Sequence, residues 1–234
     1  MKKVSVIVPA YNEAEAICDT LRAIRENVPC EELIVVDDGS ADGTAERARF
    51  WADRVIVLPK NQGKGAALKT GWSQASGEIV LLLDADLRES AREAVHLLAP
   101  VREDRCDLAI AILPSPAKKA GLGLAKGLAQ NGIRWLTGYE ARAPLSGQRA
   151  VRRQLLQRLR GVDGGFGVEV GMTVDALRAG FRVLEVPVPF THRQTGNDWP
   201  GFRHRGREFV AIGRTLCRKW WEGCAWTRKE WRLW

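Results

Sequence analysis

The chain has 234 residues, 45% hydrophobic and 27% charged, with a formal net charge of +8 and a pI near 9.5, a balance that suits a folded protein with a substantial core. No stretch approaches the roughly 18–20 uninterrupted apolar residues of a membrane-spanning helix, and Met1-Lys2-Lys3 running into Val4 to Pro9 is too short for a signal peptide, so a cytoplasmic location is expected. Cys18, Cys30, Cys106, Cys217 and Cys224 include no CxxC pair, which argues against a zinc site or a disulfide framework, while the positive charge suits an anionic partner, whether nucleotide, nucleic acid or acidic membrane surface.

In chain order the pattern predicts a strand at 4–8, a helix at 13–25, a strand at 33–36, a helix at 43–51, a strand at 54–58, a helix at 64–75 and a strand at 78–83. The strand segments are near-continuous apolar runs rich in β-branched residues, which implies burial on both faces. The segments between them carry apolar residues at helical spacing. Such alternation means parallel strands with right-handed crossovers, and ligands of such sheets collect beyond the carboxyl ends of the strands. Further along come a helix at 91–101, a strand at 107–113, a mobile Gly/Pro/Lys loop at 114–127, helices at 124–136, 150–159 and 167–179, and a last core strand at 181–188. Beyond His192 the composition shifts, dividing the chain into a core domain at 1–192 and a basic, tryptophan-rich segment at 193–234.

Three post-strand turns carry carboxylates: Glu13 after the first strand, Asp37-Asp38-Gly39-Ser40 after the second, and Asp84-Ala85-Asp86 after the fourth. A parallel sheet brings all three to one edge, where several acids together are costly without a cation. Mg²⁺ or Mn²⁺ resolves that cost, because these ions take one or two carboxylates plus substrate phosphates. The alternation in Asp84-Ala85-Asp86 lets one acid face the metal and the other a ribose hydroxyl. A nucleoside diphosphate is the fitting ligand. Asp37 to Ser40 also reads as a turn capping the next helix. Gly63-Lys64-Gly65 fits neither Walker A nor the dinucleotide fingerprint, whose third glycine is missing.

These pieces stand in the register of one family. Val6-Ile7-Val8-Pro9-Ala10-Tyr11-Asn12-Glu13, Val35-Val36-Asp37-Asp38-Gly39-Ser40 with Asp42-Gly43-Thr44, Asn61-Gln62-Gly63-Lys64-Gly65-Ala66-Ala67 and Asp84-Ala85-Asp86 resemble glycosyltransferase family 2 in order and spacing. The resemblance implies the GT-A fold, an α/β, Rossmann-like, mostly parallel sheet flanked by helices, and a metal-dependent hexosyltransferase with a UDP- or GDP-sugar donor. It implies that Pro9, Ala10, Tyr11 and Glu13 line the nucleoside and that Asp38, with Asp37 beside it, contacts the base. Lys64 would lie near the base or phosphates, Asp84 with Ala85 near the ribose or sugar, and Asp86 on the metal.

The second half, from Gly165-Phe166-Gly167-Val168-Glu169-Val170 to Val183-Leu184-Glu185-Val186-Pro187-Val188, is similar to the acceptor side of bacterial members, including polyprenyl-phosphate sugar transferases and glucosyl-3-phosphoglycerate synthases. Glu169, opening a helix near the sheet edge, is a candidate base for an acceptor hydroxyl in an in-line displacement or, equally, an acid stabilised by the helix dipole. Glu140 is a second candidate base. The resemblance makes His192 a candidate metal ligand beside Asp86. Ser146-Gly147-Gln148-Arg149 resembles the family's acceptor-facing segment but departs at Gln148, where many members carry an aromatic or an acid. That departure, with no Gln-x-x-Arg-Trp motif, argues against processive synthesis.

Six of the nine tryptophans lie beyond His192 among arginines and lysines. A helix at 207–221 puts Phe209, Ile212, Leu216 and Trp220 on one face and Arg207, Arg214 and Arg218 on the other. That amphipathic helical segment suits an anionic membrane interface, unless its apolar face packs on the protein's own core. The first option predicts a peripheral enzyme on the inner face of the cell membrane, with a lipid-phosphate acceptor such as polyprenyl phosphate. The rival keeps the enzyme with a small phosphorylated acceptor. A nucleotidyltransferase is more remote, and no nucleic-acid partner is expected because acids at the sheet edge repel phosphates in the absence of a metal.

Overall fold

The computed structural model describes residues 2–114, 123–159, 167–191 and 199–230, with backbone alone for 199–205, 207–208 and 224–230. Its elements are β1 (Val4–Ala10), α1 (Ile17–Asn27), β2 (Glu32–Asp37), α2 (Thr44–Ala48), β3 (Arg54–Val57), α3 (Lys64–Gln74) and β4 (Ile79–Leu82). A 3-10 turn (Arg88–Glu93) then leads into α4 (Ala94–Arg102), β5 (Leu108–Ile112), α5 (Leu124–Thr137), β6 (Arg149–Arg152), α6 (Arg153–Arg158), α7 (Val168–Arg178), β7 (Val183–Pro187) and α8 (Trp199–Glu230).

The seven strands of the described residues form one sheet in the order β3-β2-β1-β4-β6-β5-β7. All neighbours are parallel except β6, which runs antiparallel to both β4 and β5. Both faces of the central strands are covered, as their unbroken apolar runs require. Val6 and Val8 of β1 pack with Ile17, Leu21 and Ile24 of α1, while Ile7 faces Leu68 of α3 on the other side. A Cβ at Gly71 would lie 2.5 Å from Ile7 Cγ2, so glycine is what lets α3 lie so close to the sheet. The chain winds β1, β2, β3 to one side and then crosses to β4 on the other side of β1. The switch point therefore lies between β1 and β4, where open sheets of this kind bind ligands.

The predicted helix at 150–159 is corrected: the structure holds strand β6 followed by the six-residue α6. Ala150, Val151, Leu155 and Leu156 mimic a helical period, and four residues of strand are too few for alternation to stand out. In the predicted loop at 114–127, residues 115–122 lie outside the described residues and α5 begins at Leu124. The last helix also runs well beyond the predicted 207–221.

The predicted apolar face of α8 splits. Ile212 and Leu216 join Ala129 and Ile133 of α5 and Val170 and Val174 of α7 in a third core cluster, whereas Phe209 and Trp220 are exposed. The helix comes so close to α5 that a Cβ at Gly132 would lie 2.3 Å from Leu216 Cδ1. Among the described residues no helix is long and apolar enough to cross a membrane.

Candidate active site

The carboxyl ends of β1, β2 and β4 bring three turns together. Asn12, in the left-handed region at φ 55°, accepts from the Ala41 N–H through its side chain and donates its own N–H to Ser40 Oγ. The Glu13 N–H donates to Thr44 Oγ1 at 2.9 Å and the Ala14 N–H to Asp42 Oδ2 at 3.0 Å, so the first two turns are stitched together. Pro9 and Ala10 end β1 beneath this junction, with Ala10 buried and Tyr11 exposed at its rim.

Asp37 and Asp38 are both buried. Asp37 accepts from the N–H and hydroxyl of Ser40, closing the turn. Asp38 accepts from the Gln62 and Gly63 N–H groups, each at 2.8 Å, and so fixes the loop that delivers Lys64. Gly39 at φ 74° has no room for a side chain, since a Cβ would lie 2.8 Å from the carbonyl carbon of Lys60.

Lys64, the first residue of α3, reaches into the switch point. Its Nζ lies 2.7 Å from Asp84 Oδ1 and 3.3 Å from Glu169 Oε1, and its side chain is 28% exposed. Burial opposes its charge, but the two carboxylates outweigh that cost and hold its pKa above the ordinary lysine value. Gln148 Nε2 donates to the other Asp84 oxygen at 2.8 Å. Gly147 makes the assembly possible: a Cβ there would lie 2.3 Å from Lys64 Nζ and 3.2 Å from both Asp84 oxygens.

Antiparallel β6 explains how Gln148 gets there. Leu82 pairs with Arg149, so the start of β6 abuts the carboxyl end of β4. Glu169 arrives from the first turn of α7, where the helix dipole favours an acid. Ser146 Oγ and Gln148 Oε1 are buried without a hydrogen-bond partner, an exception to the usual satisfaction of buried polar atoms.

Arg149 lies inside the protein rather than at its surface. It is 1% exposed, donates to the carbonyls of Ser146 and Pro144 and to Thr173 Oγ1, and so holds the segment from beneath. Burial pushes its pKa down to about 10 against the opposing pull of Glu169 and Glu185. Glu185, which the sequence reading passed over, accepts from the Arg142 and Ala143 N–H groups and fixes the other end of the segment. The only hint was a lone acid within an apolar strand. Glu140 stands apart from the cluster, 76% exposed and 3.6 Å from Arg134. His192 lies outside the described residues.

The Asp84-Ala85-Asp86 turn is pinned from behind by Thr20, whose hydroxyl donates to the Ala85 carbonyl at 2.7 Å and accepts from the Arg88 N–H at 2.8 Å. This leaves Ala85 buried and both aspartates half-buried. Among the described residues no three His, Cys, Asp or Glu side chains gather closely enough to hold a metal by themselves. The donors are carboxylate oxygens. That set fits Mg²⁺ or Mn²⁺ completing its shell with substrate phosphates, and does not fit a structural zinc.

Comparison with known proteins follows the same lines. The glycosyl transferase family 2 profile matches residues 5–153. The chain is 35% identical over 209 residues to the polyprenol monophosphomannose synthase of Mycolicibacterium smegmatis, covering 82% of this chain and 78% of that protein. It is 31% identical over 238 residues to glycosyltransferase AglD of Haloferax volcanii, covering 94% of this chain but only 37% of AglD. Among solved structures it is similar to glucosyl-3-phosphoglycerate synthase from Mycobacterium tuberculosis in complex with Mn²⁺, uridine diphosphate and phosphoglyceric acid. There the TM-score is 0.79 at 28% identity, covering 93% of this chain and 78% of that one; another structure of the same synthase holds Mg²⁺ and uridine diphosphate. With its motifs gathered at the switch point of a GT-A sheet, the chain belongs to glycosyl transferase family 2.

Proposed function

We propose that this glycosyltransferase moves a hexose from a UDP- or GDP-sugar to a lipid-linked acceptor, such as polyprenyl phosphate, as a peripheral enzyme on the inner face of the membrane. The observation that carries the reading is the bridge of Lys64 between Asp84 and Glu169. It sets a cation where the donor diphosphate would lie and a carboxylate on either side of it. Similarity to a polyprenol monophosphomannose synthase supports the lipid acceptor.

In this reading Pro9, Ala10, Tyr11 and Glu13 line the nucleoside, with Asp37 and Asp38 beneath it. Asp84, oriented by Gln148 and Lys64, faces the ribose or sugar. Asp86, with His192, would hold Mg²⁺ or Mn²⁺, which when bound neutralises charge on the departing diphosphate. Lys64 adds a second positive charge to the same oxygens. Ser146, Gly147 and Gln148 form the floor against which the acceptor sits.

Glu169 has a role that depends on the acceptor. A phosphate monoester, with its second pKa near 6, presents an oxygen that is already anionic at neutral pH and needs no base. A hydroxyl acceptor needs its proton removed as the new bond forms, and Glu169 is placed to take it. A second reading, transfer to a soluble phosphorylated hydroxy acid, draws on the similarity to the synthase solved with phosphoglyceric acid.

Radiolabelled UDP-glucose and GDP-mannose, each offered with Mn²⁺ to polyprenyl phosphate in detergent and to 3-phosphoglycerate, separate the two. Labelled lipid is expected. Label confined to the soluble product would replace the leading reading with the second.

A further inference from the structure

The outward face of α8 is not that of an ordinary solvated helix. Ile212, Thr215, Leu216 and Lys219 turn inward and are buried against α5 and α7. On the opposite side Phe209, Val210, Trp220 and Trp221 are 42%, 50%, 46% and 70% exposed. Gly206 and Gly213 lie in the same stripe, and a Cβ on either would meet nothing within 4 Å. Between residues 206 and 221, the one exposed charged side chain among the described residues is that of Arg214. The stripe continues onto α5, where Trp135, 70% exposed, stacks on Trp220 with ring centroids 6.3 Å apart. Contiguous exposed aromatic surface of this kind marks an interaction site.

The charge around it selects the partner. Exposed Arg134 and Arg214 flank the aromatic residues, Arg134 lying 3.6 Å from Glu140, and the chain is +8. An anionic bilayer offers the sign complementary to the chain's net charge and an interface in which indoles are at home. The inner face of the same helix meets the helix that carries Glu169: a Cβ at Gly167, which opens that helix, would lie 2.0 Å from Thr215 Oγ1.

We infer that α5 and α8 together form a docking surface for an anionic lipid bilayer, with Trp135, Trp220 and Trp221 entering the interface and Arg134 and Arg214 meeting headgroup phosphates. This rests on the peripheral-enzyme reading above and locates its membrane face, one helix away from Glu169. It also changes which residues meet lipid, since Ile212 and Leu216 belong to the protein core.

The full chain should sediment with vesicles of phosphatidylcholine containing about one third phosphatidylglycerol, weakly with phosphatidylcholine alone, and less as salt rises. Trp220→Ser with Trp221→Ser, or Trp135→Ser, should weaken that partitioning by about tenfold or more. Phe50→Ser, at an 84% exposed site away from these helices, should leave it unchanged. No partitioning onto the anionic vesicles, or partitioning indifferent to the tryptophan variants, would overturn the proposal. A dimer in light scattering that the double variant dissociates would overturn it in favour of a second copy of the chain. Nucleotide binding in the presence of Mn²⁺, measured on the same variants, keeps the two readings apart. If it persists while vesicle binding is absent, the docking surface fails and the glycosyltransferase remains.

Discussion

Lys64, Gly147 and Glu169 are where single substitutions are most informative. In Gly147→Ala the added methyl must displace the Lys64 ammonium, which would sit 2.3 Å from it. The expected result is a fall in kcat of about 10²-fold, in keeping with misplacement of a charge by an ångström, with little change in Tm. Glu169→Gln should cost a hydroxyl acceptor about 10²–10⁴-fold and a phosphate acceptor less than about tenfold, read as kcat with each acceptor in parallel. At this scale the sequence was informative about identity and less so about engagement. Asp84, Lys64 and Glu169 were each singled out, and the structure joins them. That Asp38 spends both oxygens on the 62–63 backbone, or that Arg149 lies buried beneath the 144–148 segment, depends on where the chain folds back, which spacing along the chain does not encode.

Helix α8 illustrates the same limit for whole elements. Its amphipathic pattern was legible, but an apolar stripe does not say whether it faces core or lipid, and here the helix has apolar residues on both sides. The inner side is testable through stability. Ile212 is fully buried between α5 and α7, so Ile212→Ala should destabilise the protein by about 2–4 kcal/mol in urea unfolding. Strand β6 was hidden for another reason. The parallel βαβ rhythm of the first 90 residues predicts strands reached by crossovers, whereas β6 inserts antiparallel between β4 and β5. That insertion is what carries Gln148 to Asp84, so the misread element is also the one that completes the site.

For the molecule as a whole, several carboxylates tie distant segments together, and this sets its response to acid. Burial opposes the charge of Glu32 and Asp53, but hydrogen bonds from Ser5 and Ser76, and from Arg25 and Leu33, outweigh it and hold both below their ordinary values. The Arg182 hydrogen bond does the same for Asp107. Because the folded pKa values are depressed, their stabilisation is complete above the unfolded carboxylate range near 4 and is lost as pH falls through the folded values. Tm should be flat from about pH 6 to 8 and decline below about pH 4 in a pH series. The fold class, the family and the clustering of acids at one sheet edge were legible because they rest on local patterns repeated in register.

If the site is as proposed, the carboxyl edge of β1, β2 and β4 binds a nucleoside diphosphate together with a divalent ion. The most direct test is thermal denaturation of wild type and Asp86→Ala with UDP, GDP, CDP and dTDP, each with and without Mn²⁺. A Mn²⁺-dependent rise in Tm is expected for UDP or GDP in the wild type, and none in Asp86→Ala. A folded wild type stabilised by none of the four, or stabilised equally without Mn²⁺ and in the variant, would contradict that proposal.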